Sequence, residues 1–320
     1  MNESRAVEVD RRLPVGGEIF LDHVAHFVGD PEAASRALAR AGFAPTPISI
    51  QVNPDSSGAP PHPTGTGNVT CMLDRGYLEV LFRTADTPLA REFDAAMARY
   101  RGVHLAAFAV ADANATHARL AQSGFRMRPL VAMQRPVGTE GGEDTAAFSV
   151  VRVASGEMPE GRIQALTHLT ERTVWQPRWL AHSNSARGLI DIVIAEADVA
   201  EAAGRFRCFL DSDARSDRFG SAFHLDRGRV QLVTPASLRR LFPRLAIPDL
   251  PFMAAYAIAV TSLDLVATCL KTGDIVFDRH DDCVLAPFPE ELGAGCWAFV
   301  ESAAALPWRK QGCVLPAAIA

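Results

Sequence analysis

The sequence contains no C-x-x-C pair, no run of basic residues, no unbroken apolar stretch long enough for a membrane helix, and only three tyrosines. Each absence removes a class of protein. The six cysteines (Cys71, Cys208, Cys269, Cys283, Cys296 and Cys313) are scattered along 320 residues. That pattern points to reduced thiols in a cytoplasmic chain, not to a disulfide framework. Lys and Arg total 32 against 37 Asp and Glu, a net charge of −5, so no basic field exists to hold nucleic acid or an anionic membrane. Residues 1–20 carry Glu3, Glu8 and Asp10 and no apolar core, so no secretory signal is expected. The one candidate span, Phe252 to Leu270, is interrupted by Thr261, Ser262 and Asp264 and suits a strand followed by a helix. A small molecule is left as the expected partner.

What is present is an ordinary globular composition, 48% hydrophobic and 22% charged, in a chain long enough for about two domains. Its strongest pattern is self-similarity. His23 opens H-V-A-H-F-V-G-D and His104 opens H-L-A-A-F-A-V-A-D, sharing H-x-A-x-F, with one residue more before the Asp of the second copy. Asp30 and Asp112 are each followed by Leu eight residues on (Leu38, Leu120) and by Gly-Phe at the twelfth (Gly42-Phe43, Gly124-Phe125). An apolar strand, an Asp N-cap, a helix and a left-handed glycine stop account for this spacing. The turn L-D-R-G recurs at 73–76 and 225–228, and the residue three past its glycine is Glu79 or Gln231; Gln164 takes that place after Gly161. Further copies begin near Asp191 and Met253.

These residues resemble the vicinal oxygen chelate superfamily, in its glyoxalase-like group. The resemblance is carried by L-D-H-V-A-H-F-V-x-D at 21–30, G-T-G-N at 65–68, G-Y-L-E-V-L at 76–81, G-V-H-L-A at 102–106 and T-V-W-Q-P-R-W-L-A-H-S-N at 173–184. It is good over 19–190 and faint beyond. It implies an α+β fold of four βαβββ modules, paired into two glyoxalase-like domains with curved mixed sheets around a cavity. The expected organisation is a disordered tail at 1–18, an N-terminal domain at 19–170 holding the metal site, a linker at 171–185, a degenerate C-terminal domain at 186–305 and a tail at 306–320. A homodimer pairing modules across chains is compatible with it. The resemblance also implies a divalent metal (Fe, Mn, Zn, Co or Ni) held by His23, Glu79, His104 and Gln164.

The residue chemistry agrees with that placement. Two imidazoles, a carboxylate and an amide oxygen suit such ions and not a soft thiolate site. Glu79 stands in an otherwise apolar strand, where an unpaired carboxylate would be costly. Strand alternation puts Tyr77 on the face of Glu79 and His168 on the face of Gln164, as candidate proton-moving residues, and turns His26 away. Trp175 and Trp179 are expected to pack between the halves. The Gly- and Pro-rich stretch 51–68 is expected to be a lid, with His62 at the entry. The function so implied is a metal-dependent glyoxalase-like enzyme of isomerase or lyase type, acting on a small substrate with adjacent oxygens through a stabilised enolate. The alternatives are a ring-cleaving Fe(II) dioxygenase using His23, His104 and Glu79, and a non-catalytic drug-binding protein.

Overall fold

The structure is a computed structural model that describes residues 11–54 and 61–310. It holds four modules in chain order. The first comprises β1 (Ile19–Val28), α1 (Pro31–Arg40), β2 (Ser49–Pro54), β3 (Pro61–Met72) and β4 (Tyr77–Arg83). After the helix α2 (Pro88–Arg99), the second comprises β5 (Gly102–Val110), α3 (Ala113–Gln122), β6 (Val131–Thr139), β7 (Gly142–Arg152) and β8 (Arg162–His168). A short helix, α4 (Glu171–Val174), leads to the third: β9 (Ala186–Ala195), α5 (Val199–Leu210), β10 (Arg215–Asp217), β11 (Gly220–His224) and β12 (Arg229–Val233). The helix α6 (Pro235–Leu241) precedes the fourth: β13 (Phe252–Val260), α7 (Leu263–Thr272), β14 (Asp278–Arg279), β15 (Val284–Pro287) and β16 (Cys296–Val300).

Each module starts the same way for the same reason. A buried apolar strand ends at a small polar residue whose side chain accepts from the first free amides of a helix: Asp30 from Ala33, Asp112 from Asn114 and Ala115, Asp198 from Ala200 and Glu201, Ser262 from Leu265. Gly42 and Gly124, at φ +85° and +95°, stop the first two of these helices, and Phe43 and Phe125 donate back to the carbonyls of Leu38 and Leu120. The stretch from Phe252 is therefore a strand and a capped helix; among the described residues no helix is long and apolar enough to cross a membrane.

The first two modules close on themselves. Their strands run β1-β4-β3-β2-β6-β7-β8-β5, and β5 pairs back with β1 antiparallel. The third and fourth modules meet through β9 and β13 and carry the same sheet outward to β10 on one side and β14 on the other. The halves touch through Met253↔Val103, and through His26, which lies on β1 but points out of the barrel. His26 donates from Nδ1 to the Leu292 carbonyl (2.9 Å), and its Nε2 accepts from the Tyr256 hydroxyl (3.0 Å), which in turn accepts from Trp297 (2.6 Å). Burial pushes its pKa down to about 4, so it serves as a neutral joint.

Two expectations change here. Residues 51–54 and 61–68 are not a lid: they belong to β2 and β3, paired antiparallel in the barrel wall, and His62 is exposed there. Residues 55–60 lie outside the described residues. Trp175 does not pack between the halves. It sits in the first half against Tyr77 and His168 (ring centroids 6.3 and 4.7 Å apart) and donates to the Leu73 carbonyl.

Candidate functional site

The barrel of the first half encloses a small cavity lined by His23, Asn68, Tyr77, Glu79, Arg135 and Arg152, with Leu105 and Gln164 among its other walls. Its free volume is about 30 Å³. His23 is fixed from behind. Its Nδ1 donates to Asp22 Oδ2 at 2.7 Å, which turns Nε2 to the cavity side. Tyr77 stacks on the imidazole, with centroids 4.3 Å apart and planes 19° from parallel.

Asp22 holds two imidazoles at once, because its Oδ1 accepts from His168 Nε2 at 3.0 Å. Burial alone would raise the Asp22 carboxyl. Attraction to His168 and hydrogen bonds from His168 and His23 more than offset that and hold it well below the usual carboxylate range. Gly76 makes this placement tight. At φ +76°, an added Cβ would lie 2.4 Å from the Asp22 carbonyl oxygen, so only glycine lets the β3–β4 turn close against β1 here.

Across from His23, Glu79 Oε2 lies 3.6 Å from the His23 Nε2, and Glu79 Oε1 accepts from Asn68 at 2.6 Å. Three guanidinium groups complete the lining: Arg162, which pairs with Glu92 at 2.8 Å, and Arg135 and Arg152. Arg152, paired with Gln164 across β7 and β8, donates from Nε to Gln164 Oε1 at 3.1 Å. Burial pulls its pKa down to about 9, and the neighbouring Arg162 adds to the fall. Arg135 is also buried, and its Nε has no hydrogen-bond partner; burial lowers its pKa, while electrostatic interaction with Tyr77 and Glu79 opposes the fall. Neither Arg135 nor Arg152 forms an ion pair with a carboxylate among the described residues. Tyr77 is kept as the neutral phenol, first by burial and then by Asp22 and Glu79.

The structure brings His23, Glu79, Gln164 and Tyr77 together and leaves His104 out. His104 faces the opposite side of β5, where its Nε2 donates to the Tyr100 carbonyl at 2.6 Å and its ring packs on Tyr100, 4.0 Å between centroids. Burial pushes its pKa down to about 4. The expected ligand set fails at this residue for a reason of register. Glu79 pairs with Ala25 on β1, and Gln164 pairs with Ala107 on β5. Superposing those two pairs puts Leu105, not His104, on the position of His23. The turn glycines agree: Gly76 abuts the Asp22 carbonyl, and Gly161 abuts the His104 carbonyl (2.6 Å from an added Cβ), so His104 is the counterpart of Asp22. His168, expected on the cavity wall, instead stands behind it as the second partner of Asp22.

A divalent ion of the kind the resemblance implies does not fit this donor set. The third position holds the apolar Leu105. Gln164 Oε1 is taken by Arg152, Glu79 Oε1 is taken by Asn68, and three guanidinium groups line the cavity. Among the described residues no three His, Cys, Asp or Glu side chains come together as a metal-holding group. Residues that composition and repeats did not single out, Asp22, Arg135 and Arg152, carry most of the site's charge. Asp22 stood beside His23, and the extra residue before Asp112 was the one sequence signal of the shifted register.

The second half keeps no equivalent set. Asp191 takes the His23 position and is buried under the chain's own C-terminal side: Trp308 Nε1 donates to it at 2.7 Å, and Arg309 donates from Nε at 3.0 Å.

The family model of the glyoxalase-like domain matches residues 21–209. No curated protein matches the chain. Among solved structures, a hypothetical protein from Staphylococcus aureus is 9% identical at a TM-score of 0.62, with 88% of this chain and 98% of that one covered. The Mn(II)-bound glyoxalase from Novosphingobium aromaticivorans is 14% identical at 0.51, covering 88% and 81%. A triple mutant of 4-hydroxymandelate synthase from Streptomyces coelicolor is 14% identical at 0.50, covering 91% and 97%. At such identities the likeness is one of fold.

Proposed function

We propose a function from this premise: the chain belongs to the glyoxalase-like domain family, within the vicinal oxygen chelate superfamily. It is an enzyme that moves a proton on a small organic anion, of isomerase or lyase type, with guanidinium groups lining the cavity in which the resemblance implies an ion. The observation that carries the reading is an oriented imidazole beside two buried guanidiniums, Arg135 and Arg152, that make no direct ion pair among the described residues and feel Glu79 only through space. A buried charge without a counter-ion costs several kcal/mol, and an anionic ligand removes that cost.

Each residue has a part. Arg135 and Arg152 hold the substrate's carboxylate or developing oxyanion by charge-assisted hydrogen bonds. His23 Nε2 takes the proton from the adjacent carbon: the C–H bond breaks, an N–H bond forms, and the electron pair moves onto the oxygen beside the guanidiniums. Asp22 stabilises the imidazolium and fixes its tautomer. Glu79, 3.6 Å from His23 Nε2, stands where it can take up or return the proton. Return to a neighbouring carbon completes an isomerisation, and loss of a leaving group completes an elimination. Tyr77 orients the imidazole by stacking. The dioxygenase alternative would need His23, His104 and Glu79 together, and His104 faces the other side of β5, on the Tyr100 carbonyl. The sequence expectation of metal dependence gives way to the donor chemistry set out above.

The test is solvent deuterium incorporation, followed by proton NMR, across a panel of small 2-oxo and 2-hydroxy acids in excess chelator. Exchange is expected with at least one acid, unaffected by the chelator and lost in His23→Asn. Exchange that chelator abolishes and added metal restores would return the metal mechanism. Binding of the acids with no exchange at all would favour the non-catalytic binder.

A further inference from the structure

We infer that the cleft outside the barrel is a second anion subsite of the same active site, so that the substrate carries two acidic groups. The inference rests on the reading above and deepens it. The cleft has a volume of about 530 Å³ and lies between α2, the turn entering β8, and Leu250 and Pro251 of the second half. Arg152 and Arg162 line both this cleft and the barrel cavity, so they form the wall between the two spaces. The interior, at about 30 Å³, is far smaller than the cleft and takes the smaller part of a substrate. The rest of any larger substrate therefore lies in the cleft.

The charge of the cleft says what that remainder is. Arg128, Arg152 and Arg162 face it, against the single carboxylate Glu92, which accepts from Arg128 and from Arg162 at 2.8 Å each. Arg99, at the rim, is neutralised by Asp249 at 3.0 Å. Positive charge is left over, and it is immobilised: the Arg162 guanidinium is stacked on Phe93 and Phe27, 4.9 and 5.7 Å from the ring centroids. Planar guanidiniums held in place match the oxygens of a carboxylate or a phosphate. The apolar walls, Phe27 and Met158 with Pro251, suit the carbon chain between the two acids.

The experiment is calorimetric titration of the whole protein with three series of matched length: monocarboxylates from propionate to hexanoate, dicarboxylates from malonate to adipate, and the corresponding phosphonocarboxylates. In wild type one dianion is expected to bind at least about tenfold tighter than its monocarboxylate, the equivalent of one added charge-assisted contact. Ala95→Trp, which fills the cleft from the exposed face of α2, should cut that advantage to about twofold or less while leaving the monocarboxylate Kd unchanged, and Arg128→Ala should cut the advantage to the same extent. The phosphonate series tells a phosphate-bearing substrate from a dicarboxylate by which dianion gains more. Equal affinities of mono- and dianions in wild type, or an advantage that survives both variants, would overturn the inference. Arg135→Met judges the earlier reading separately: monocarboxylate binding that survives it would remove the barrel subsite, whatever the dianions do. Absence of binding by every series would overturn both.

Discussion

Replacing Asp22 by Asn tests the site at its most connected point. The substitution keeps the side-chain volume but swaps one acceptor oxygen for an NH2. In the wild type both acceptors are used, one by His23 at 2.7 Å and one by His168 at 3.0 Å. In the variant one imidazole meets a donor and must change tautomer. If His23 changes, its proton moves to Nε2 and the cavity loses its base. If His168 changes, its proton goes to Nδ1, a buried atom with no partner, at a cost of about 1–3 kcal/mol. Loss of the carboxylate also leaves the imidazolium formed in catalysis without its counter-charge. The deuterium exchange rate should fall by about 10²–10⁴, and stability in urea should fall by about 3–5 kcal/mol, as for a broken buried pair. The stability loss has a defined pH dependence. Because the folded Asp22 pKa is depressed, its contribution is complete above the ordinary carboxylate range, about pH 4, and is lost as pH falls through the folded value. The gap between wild type and variant should therefore close in acid. Wild-type exchange in Asp22→Asn, with the His23 nitrogen shifts unchanged by NMR, would refute the account of base orientation.

Four further outcomes follow from particular contacts. Leu105→His puts an imidazole on the true counterpart of His23 and should raise Zn(II) affinity well above wild type by calorimetry, whereas His104→Ala should lower stability by about 1–3 kcal/mol without altering metal content. Glu196, buried beside Glu160, has its pKa pushed up to about 8, by burial first and then by the Glu160 charge; a raised folded pKa means stability is intact below the unfolded value and is lost as pH rises through about 8, so Glu196→Gln should raise Tm at pH 9 and leave it nearly unchanged at pH 4. Trp308→Ala, which empties the plug over Asp191, should cost about 3–5 kcal/mol in chemical denaturation and leave exchange at His23 intact.

The modular plan was legible because each module repeats local signals with clear physical causes. An Asp cap at 30 and 112, a Gly stop at 42 and 124, and the tight turn at Gly76 and Gly228 all fall where the structure has them. The wall of the barrel at β2 and β3 was hidden, since Gly and Pro in 51–68 mimic a loop while the pairing partners that make it strand lie far along the chain. The site was half legible. Glu79 betrayed itself as an acid in an apolar strand, and Tyr77 followed by alternation. His104 misled because matching H-x-A-x-F aligns the two strands one residue away from their spatial register, and on a strand one residue reverses the face. Arg135 and Arg152 carried no sequence signal at all: their meaning comes from where the barrel places them, in one cavity and without a direct ion pair among the described residues.

Calorimetric titration of the same preparation with acetate and, separately, with Mn(II) tests the central claim, that guanidiniums and an imidazole occupy the place of a metal centre. Acetate should bind wild type and fail to bind Arg135→Met, and Mn(II) should show no saturable site that depends on Glu79. Micromolar Mn(II) binding abolished by Glu79→Gln, with acetate indifferent to Arg135, would contradict it.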